Sequence, residues 1–377
     1  MQRERLVLGA MTGTSIDGID LALVAVTGHG LAMHANLVSH RSAPLGDLAA
    51  RLRAAAEQRP MSAGEFASLA LDFGTFHARE ARALLDATPG RPRPDLACIH
   101  GQTVFHRPPA SWQLVNPHPI ARALGCTVVT DLRGADLAAG GEGAPLTPLA
   151  DWVAFRAPHA RAILNLGGFA NATLLPADDG TPAASQVAAI RGRDLCACNH
   201  VLDRAARVAL GRDYDADGAA AARGTPNAAA HAALAALLAP DAGGRSLGTG
   251  DETAAWVDVH ARTCAPADLL ATAAEAVGGA IGAALAAASV RDAIVAGGGA
   301  RHARLLAAIA RTAGIPVQPS DAAGVPVAIR EAYDWAILGA LAQDGIDPAL
   351  PAVTRRTAGN HAAAGCWTRP SPEPAAT

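Results

Sequence analysis

The sequence predicts an α/β protein of two domains, and three observations support that fold class. The chain has 377 residues, which is more than one hydrophobic core usually fills. Short apolar runs alternate with longer segments whose apolar residues recur at helical spacing. A strand, a glycine loop and a second strand open the chain, and the same pattern returns after residue 160. We therefore expect one domain over residues 1–150, a second over residues 151–345, a C-terminal tail over residues 346–377, and a ligand cleft between the two domains.

The first domain is predicted to begin with two strands. Arg5 to Ala10 and Leu21 to Val26 are apolar runs that flank a loop rich in Gly, Thr and Ser, which indicates a tight turn between strands. Apolar residues at helical spacing from Leu48 to Leu85 indicate helix. LACIH and CTVVT are predicted as short buried strands. We expect HGQTVFHRP, the stretch from Trp112 to Pro119, and DLAAGGEGAPLTP to be loops.

The second domain is predicted to repeat this order. Ala160 to Pro176 contains a strand, a Gly-Gly turn and another strand. The other predicted elements are a helix over Asp268 to Ala288, a strand over Asp292 to Ala296, the loop GGGARH, and helices from Ala303 and over Arg330 to Ala342. Beyond Leu350 the chain is rich in Pro, Ala and Thr without periodicity, so we expect the tail to fray, at least past Trp367.

Composition and charge exclude several classes of protein. The net charge of −3 and the absence of a long basic run give no electrostatic basis for binding nucleic acid or anionic lipid. The chain contains no lysine, which excludes a Walker-A lysine, the strand lysine of protein kinases and Schiff-base chemistry. Its six cysteines are scattered, and its N-terminus lacks the apolar region of a signal peptide. We therefore expect a cytoplasmic protein without nucleic-acid or membrane partners.

The most informative segment is GAMTGTSIDGID, from Gly9 to Asp20. Its glycines permit positive φ or close backbone approach, and its hydroxyls and backbone N–H groups can surround a phosphate. Asp17 and Asp20 suit Mg²⁺-bound water, and we predict no residue as a direct metal ligand. Taken alone, the same composition is common in ordinary hairpin turns. The predicted nucleotide-binding residues of this loop are Gly13, Thr14, Ser15, Ile16, Asp17, Gly18, Ile19 and Asp20.

Two further glycine loops follow strands in the second half. In ILNLGGFANATLL, two glycines separate apolar strands and asparagines supply neutral hydrogen-bonding groups. In VAGGGARHARLL, three glycines between a strand and a helix leave room for a base or ribose and expose helix N–H groups. This loop lacks the GxGxxG spacing of a dinucleotide-binding unit, which disfavours a Rossmann oxidoreductase. The predicted nucleotide-binding residues here are Asn165, Gly167, Gly168, Gly297, Gly298 and Gly299.

These loops, together with HGQTVFHRP and TDLRGADLAAGGEGAPLTPLAD, resemble the anhydro-N-acetylmuramic acid kinase family from Leu6 to about Thr354. The resemblance implies a two-domain actin-like ATPase (ribonuclease H-like) fold with an interdomain cleft, and a homodimer. It also implies a reaction in which ATP, with Mg²⁺, phosphorylates a 1,6-anhydro sugar while water opens the anhydro bridge. The expected product is N-acetylmuramic acid 6-phosphate, an intermediate of peptidoglycan recycling.

The resemblance also implies a general base. The family's base lies in a motif like Asp-Thr-Gly-Pro-Gly-Asn, and the matching stretch here runs from Asp194 to Asn199. Asp194 is therefore the predicted base for the attacking water. Cys196 and Cys198 replace the two glycines of that motif, and Ala197 replaces its proline. Because a Cβ opposes positive φ and close ligand approach, a degenerate nucleotide-binding homologue is one alternative, and a kinase of the same fold for another sugar is a second.

The sugar site is predicted from the same resemblance and from side-chain chemistry. His100, Gln102 and Thr103 offer donors for an N-acetyl or lactyl group. Arg107 or Arg133 could pair bidentately with the lactyl carboxylate. Alternatively, Arg133 belongs to a structural ion-pair network with Asp131 and Asp136, which lie beside it in the sequence.

Outside these loops, a glutamate, an arginine and the lone histidines also bear on the prediction. Glu331 matches a family glutamate near the substrate, although a carboxylate at a helix N-terminus also has a structural explanation in the helix dipole. Arg355 stands where the family has glycine. Lone histidines such as His77 are expected on helix surfaces.

Overall fold

The computed structural model describes residues 4–13, 15–239, 251–357 and 364–370, so the predicted phosphate-loop residue Thr14 lies outside the described residues. The strands are β1 (Arg5–Met11), β2 (Gly18–Thr27), β3 (His34–Pro44), β4 (Leu96–Ile99), β5 (Gln102–Arg107), β6 (Ala110–Leu114), β7 (Thr127–Thr130), β8 (Arg161–Leu166), β9 (Phe169–Leu175), β10 (Arg191–Ala197), β11 (Asp292–Ala296), β12 (Val317–Pro319) and β13 (Cys366–Thr368). The α-helices are α1 (Leu48–Ala56), α2 (Ala63–Ala87), α3 (His118–Leu124), α4 (Leu132–Ala138), α5 (Thr147–Phe155), α6 (Ala183–Ala189), α7 (Asn199–Leu210), α8 (Ala228–Leu237), α9 (Asp251–His260), α10 (Pro266–Ala287), α11 (Ala303–Ala313), α12 (Arg330–Gln343) and α13 (Pro351–Thr354). Short 3₁₀ turns cover Gly30–Ala32, Ala216–Gly218, Ala221–Arg223, Gly298–Arg301, Ser320–Ala323 and Val327–Ile329.

The chain divides into two compact units. The first unit comprises the described parts of residues 1–155, 182–188 and 329–377, and the second comprises those of residues 156–181 and 189–328. Helix α12, which the sequence analysis placed in the second domain, packs on β1, β2 and β4 of the first unit. The approach is close, since a Cβ on Gly9 would lie 1.9 Å from the carbonyl oxygen of Ala332.

Each unit contains one large sheet, and five neighbouring strands of the first sheet have the same order as the five strands of the second. In the first unit β1, β2 and β3 form an antiparallel meander, and β4 and β7 lie parallel to β1 on its other side. In the second unit β8, β9 and β10 form the meander, and β11 and β12 are the parallel pair. The order 3-2-1-4-5 with these directions is the ribonuclease H-like arrangement of actin-like ATPase domains. The predicted α/β fold class and the internal duplication are thus confirmed, whereas the cleft stays a prediction.

Local sequence explains the longest elements. Ser62 and Glu65 form a capping box at the start of α2, in which the Ser62 hydroxyl accepts from the Glu65 N–H and the Glu65 carboxylate accepts from the Ser62 N–H. Helix α10 is rich in Ala, Leu and Gly and is the core helix of the second unit, packed against α7, α8 and α11. Among the described residues, α10 is the one helix whose length and composition would allow it to cross a membrane, and 67% of that apolar window is buried inside the protein.

Three expectations about local structure are wrong. Residues predicted as loops form the β5–β6 hairpin, in which Gln102 pairs with Leu114, and the following α3. The segment beyond Leu350 is not frayed throughout, because Thr354 is fully buried and β13 pairs with β7. His77 is 1% exposed on the inner face of α2, where its Nδ1 lies 2.9 Å from the Phe73 carbonyl oxygen.

Candidate active site

The predicted phosphate loop connects β1 to β2 in the first unit. The Ile16 N–H donates to the Gly13 carbonyl oxygen (3.2 Å), and Ile16 adopts a positive φ of 51°. Arg53 of α1 donates to the carbonyl oxygens of Ser15 (3.2 Å) and Ile16 (3.0 Å), which holds the turn in place. The side chains of Ile16 and Ile19 are buried in the core, so only their backbone groups can face a phosphate. Nothing in the Ala-rich sequence of α1 indicated the contribution of Arg53.

Two carboxylates of this loop lie close enough to interact. Asp17 is exposed and accepts a hydrogen bond from the Ser15 hydroxyl (2.9 Å). Asp20 is more buried and accepts from the Ser42 hydroxyl (2.5 Å). Burial raises the pKa of Asp20, the Ser42 hydrogen bond opposes that shift, and the charge of Asp17 adds to it. Two mutually repelling carboxylates form a donor set that fits a hard divalent cation such as Mg²⁺.

Arg133 is held by neutral partners. The Nδ1 of His100 lies 2.9 Å from the Gly101 carbonyl oxygen, which can only accept, so Nδ1 carries the proton and Nε2 is an acceptor. Arg133 donates to that Nε2 through Nη2 (3.0 Å) and Nε (3.3 Å), and through Nη1 to the Gly143 carbonyl oxygen (2.9 Å). The His100 ring packs on Trp335, with ring centroids 4.7 Å apart. Burial and the charge of Arg133 lower the pKa of His100 well below its ordinary value.

The charge of Arg133 has no counter-ion at hydrogen-bonding distance. Within the described ranges its guanidinium forms no ion pair, because Asp131 caps α4 through the Gly134 N–H (3.0 Å) and Asp136 pairs with Arg356. The alternative ion-pair network around Arg133 is therefore not formed. Burial lowers the pKa of Arg133 to about 10, although the charges of Glu331 and Asp131 oppose that shift. Two of the five N–H groups of the guanidinium are left for a ligand.

Glu331 lies near Arg133 at the start of α12. Burial raises the pKa of its carboxyl, the charges of Arg330 and Arg133 oppose this, and those of Asp20 and Asp151 reinforce it. Arg330 is itself occupied by Asp151, to which both Nε and Nη2 donate. No hydrogen bond to the Glu331 carboxylate occurs in the part of the chain that the structure describes. The first unit thus brings Asp20, Arg133 and Glu331 into one electrostatic neighbourhood.

The remaining sugar-site candidates lie on the β5–β6 hairpin. Gln102 is buried, and its Nε2 donates to the Thr103 carbonyl oxygen (3.2 Å) while its Oε1 has no partner among the described residues. The Thr103 hydroxyl accepts from Gln113 (3.4 Å). Arg107 is exposed at the far end of β5, roughly 16 Å along the strand from Gln102. Of the two arginine candidates, Arg133 donates to His100, whereas Arg107 is exposed.

The second unit brings its two glycine loops together. The Asn199 side chain donates to the Leu166 carbonyl oxygen (3.0 Å), and the Asn199 N–H donates to the Gly167 carbonyl oxygen (3.0 Å). A Cβ on Gly297 would lie 2.5 Å from the Asn165 Oδ1, and φ at Gly297 is +84°. A Cβ on Gly299 would lie 2.9 Å from the Leu166 side chain. The β8–β9 turn and the β11–α11 loop thus form one surface, on which Gly298 is exposed.

Asp194 lies on β10 opposite Asn171, immediately before a bulge. Its side chain is exposed and, within the described ranges, its carboxylate has no hydrogen-bond or ion-pair partner. Cys196 and Cys198 are buried, and neither has a positive φ; φ at Cys198 is −124°. Burial raises the pKa of the Cys196 thiol to about 12 and also raises the pKa of the Cys198 thiol well above its ordinary value. The two cysteines therefore occupy the motif without the positive φ that glycines would permit.

Comparisons with known proteins identify the family of this chain. The profile of the family described as anhydro-N-acetylmuramic acid kinase matches residues 5–366. Proteins of that name from Salinibacter ruber and Bordetella pertussis are 36% and 39% identical to the chain, covering 94% and 93% of it and the same shares of their own lengths. That of Chromohalobacter salexigens is 37% identical over 93% of the chain and 96% of its own length.

Solved structures are more distant. Component A of the (R)-2-hydroxyglutaryl-CoA dehydratase of Acidaminococcus fermentans superposes with a TM-score of 0.47 at 14% identity, covering 90% of this chain and 99% of its own. A ROK family glucokinase from Streptomyces griseus gives a TM-score of 0.38 at 13% identity, covering 89% and 99%. The family profile and the relatives, which span nearly the whole sequence, identify the chain as a member of the anhydro-N-acetylmuramic acid kinase family.

Proposed function

We propose that this chain converts 1,6-anhydro-N-acetylmuramic acid, water and ATP to N-acetylmuramic acid 6-phosphate and ADP, a step of peptidoglycan recycling and amino-sugar catabolism. Membership of the kinase family over nearly the full chain supports the reaction. The observation that supports this sugar over a neutral hexose is the half-buried guanidinium of Arg133, which has two N–H groups to offer and no ion pair within the described residues. A partly desolvated cation of this kind is stabilised by an anionic ligand, and the lactyl group of the proposed sugar is a carboxylate.

The sugar is proposed to bind to the first unit. Arg133 donates to the lactyl carboxylate, and His100 holds the guanidinium because its neutral tautomer can only accept at Nε2. Glu331, free of protein hydrogen bonds in the described chain, is proposed to accept from a sugar hydroxyl or amide N–H. Gln102 and Thr103 are proposed as nearby donors for the N-acetyl group. Arg107 is left without a role in this proposal, because it is exposed at the far end of the hairpin.

Nucleotide binding is proposed for the three glycine loops. Backbone N–H groups of Gly13 to Gly18 are proposed to donate to phosphate oxygens, and Asp17 and Asp20 to hold Mg²⁺ through water. When bound, Mg²⁺ neutralises charge on the phosphates. In the second unit, the exposed Gly298 leaves an open backbone surface suited to adenosine. Asn199 lies against Gly298, and Asn165 lies against the neighbouring Gly297.

Asp194 is proposed as the general base. Its exposed carboxylate has no competing partner in the described chain, so it is available to accept a proton from water. The water oxygen bonds to the anomeric carbon as the bond from that carbon to the bridging oxygen breaks. The freed oxygen, now O6, takes the γ-phosphoryl group as its bond to ADP breaks, and the water proton remains on Asp194. The proposed role of Asp194 is supported by its position in the family motif and by the exposure of its carboxylate.

A substrate panel tests the proposal. The purified protein is incubated with ATP and either the anhydro sugar or neutral hexoses, and ADP and sugar phosphate are both measured. Turnover of the anhydro sugar alone is expected. Turnover of glucose without turnover of the anhydro sugar would instead identify a kinase for another sugar, and nucleotide binding without any product would identify a non-catalytic homologue.

The remaining parts of the proposal concern the cellular setting. We propose a cytoplasmic homodimer without nucleic-acid or membrane partners, which the family resemblance and the net charge of −3 support. Sedimentation velocity of the purified protein measures the oligomeric state directly.

A further inference from the structure

A chain of buried hydrogen bonds in the first unit connects the C-terminal segment to Arg133. Asp136 of α4 is fully buried and its carboxylate accepts from the Thr354 hydroxyl (2.9 Å). It also forms an ion pair with Arg356, whose Nη1 lies 3.2 Å from Asp136 Oδ1. The same carboxylate accepts from the Gly143 N–H (2.8 Å). Two residues near the C-terminal end thus meet a side chain that lies 218 positions earlier in the sequence.

Gly143 forms hydrogen bonds to both Asp136 and Arg133 and so links the two side chains. Its N–H donates to Asp136, and its carbonyl oxygen accepts from Arg133 Nη1 (2.9 Å). One residue therefore contacts both side chains through its backbone. The conformation is restricted, because φ at Gly143 is +69° and a Cβ there would lie 2.8 Å from Leu137. Next to it, the Glu142 N–H donates to the Thr354 carbonyl oxygen (2.8 Å). The loop that supports Arg133 is therefore fixed from the C-terminal side.

The ion pair between Arg356 and Asp136 is expected to contribute little to the folding free energy. Arg356 is 5% exposed, and besides Asp136 it reaches Asp347 and the Ala349 carbonyl oxygen. A buried ion pair contributes little net folding free energy, because desolvation offsets the attraction. The hydrogen bonds to Asp136 are nevertheless directional, since the Thr354 hydroxyl donates to Oδ1 and the Gly143 N–H donates to Oδ2. Such a connection suits the accurate placement of a neighbouring group.

We propose that Thr354 and Arg356 are positioning residues that set the location of the Arg133 guanidinium through Asp136 and Gly143. The choice of ligand, a sugar carboxylate, rests on the proposed function. The geometric connection itself does not. Arg355, which lies between the two, serves as the matched control, because its side chain is 74% exposed and pairs with Glu142 rather than with Asp136.

The first test compares Thr354→Val and Thr354→Ser. Valine has nearly the shape of threonine but removes the hydroxyl, whereas serine keeps it. We expect Thr354→Val to raise the KM for the anhydro sugar about tenfold while leaving the KM for ATP unchanged, because loosening of Gly143 misplaces Arg133. Thr354→Ser should restore most of the lost affinity, and Arg355→Gly should leave the sugar KM unchanged. An equal rise in both KM values, or no rise, would overturn the proposal.

A double-mutant cycle tests whether Arg356 acts through Arg133. If it does, Arg356→Met and Arg133→Met combined raise the sugar KM no further than Arg133→Met alone. Multiplicative losses would overturn the connection. A crystal structure of Arg356→Met provides a readout that needs no turnover: the distance from Arg133 Nη1 to the Gly143 oxygen should lengthen. If the wild type fails to phosphorylate the sugar, the proposed function fails, yet a lengthened distance still supports the connection and an unchanged one refutes it.

Discussion

Replacement of Arg133 by methionine is the substitution whose effect on function follows most directly from the structure. Methionine keeps much of the length and removes the two N–H groups that are free to hold a carboxylate. A hydrogen bond to a charged group contributes about 1.5–3 kcal/mol. Loss of a bidentate pair should therefore cost about 3 kcal/mol of sugar binding, which corresponds to a fall in kcat/KM of roughly a hundredfold.

The fold should tolerate this substitution. Arg133 is a half-buried cation without an ion pair in the described ranges, so its removal breaks no ion pair and relieves the cost of desolvating a charge. The His100 Nε2 and the Gly143 carbonyl oxygen lose their donor, which sets the expected loss of unfolding free energy at about 2 kcal/mol. Urea denaturation of the variant and the wild type measures this change and separates it from the loss of binding.

The assay uses two sugars and a second variant as controls. Steady-state kinetics are measured for the anhydro sugar and for the same sugar without its lactyl group, with Arg133→Met and with Arg107→Met. We expect the large loss only for Arg133→Met and only with the lactyl-bearing sugar. Equal losses on both sugars, or a greater effect of Arg107→Met, would refute the assignment of Arg133 as the carboxylate receptor.

Three other predictions concern the base, a helix end and a buried histidine. Asp194→Asn should lower kcat at least a hundredfold with the nucleotide Kd unchanged, as measured by calorimetry; near-normal turnover would dismiss the base. Arg355→Gly should raise the unfolding free energy by about 0.5–1 kcal/mol in urea denaturation, since Arg355 has φ of +57° at the end of α13, where glycine is favoured; a decrease would contradict this. Burial lowers the pKa of His77 from 6.5 to about 4, so the unfolded chain takes up a proton at pH values where the native protein does not. Stability should therefore fall by about 3 kcal/mol between pH 6.5 and pH 4, and His77→Leu should flatten that slope in urea titrations at each pH.

Much of the fold was predictable because its signals are local. The two strand–glycine–strand patterns, at Gly13 and at Gly167, correspond to the β1–β2 and β8–β9 hairpins of the duplicated sheet. The β5–β6 hairpin was missed because its strands are short and surround Pro108 and Pro109, which predict a break in regular structure. The order around Thr354 depends on Asp136, and a contact over that separation leaves no pattern in the sequence.

The sequence predicted the types of residue in the candidate site, but it could not decide which of two equivalent residues belongs to the site. Arg107 and Arg133 were equivalent carboxylate partners in the sequence, and only burial and the His100 contact distinguish them. The glycine-to-cysteine replacements suggested a strained loop, whereas the structure gives Cys198 a negative φ. Arg53, which fixes the phosphate turn from α1, could not be anticipated, because no periodicity or motif distinguishes it from the other surface arginines.

In the proposed reaction, water opens the anhydro ring as the phosphoryl group moves to O6. Incubation with ATP and the anhydro sugar in water labelled with oxygen-18, followed by mass spectrometry, tests it in one measurement. If the proposed reaction occurs, we expect a sugar 6-phosphate with one labelled oxygen, located at the anomeric hydroxyl, and no label in its phosphate. Label appearing only in inorganic phosphate, or a phosphorylated product with the anhydro ring intact, would contradict it.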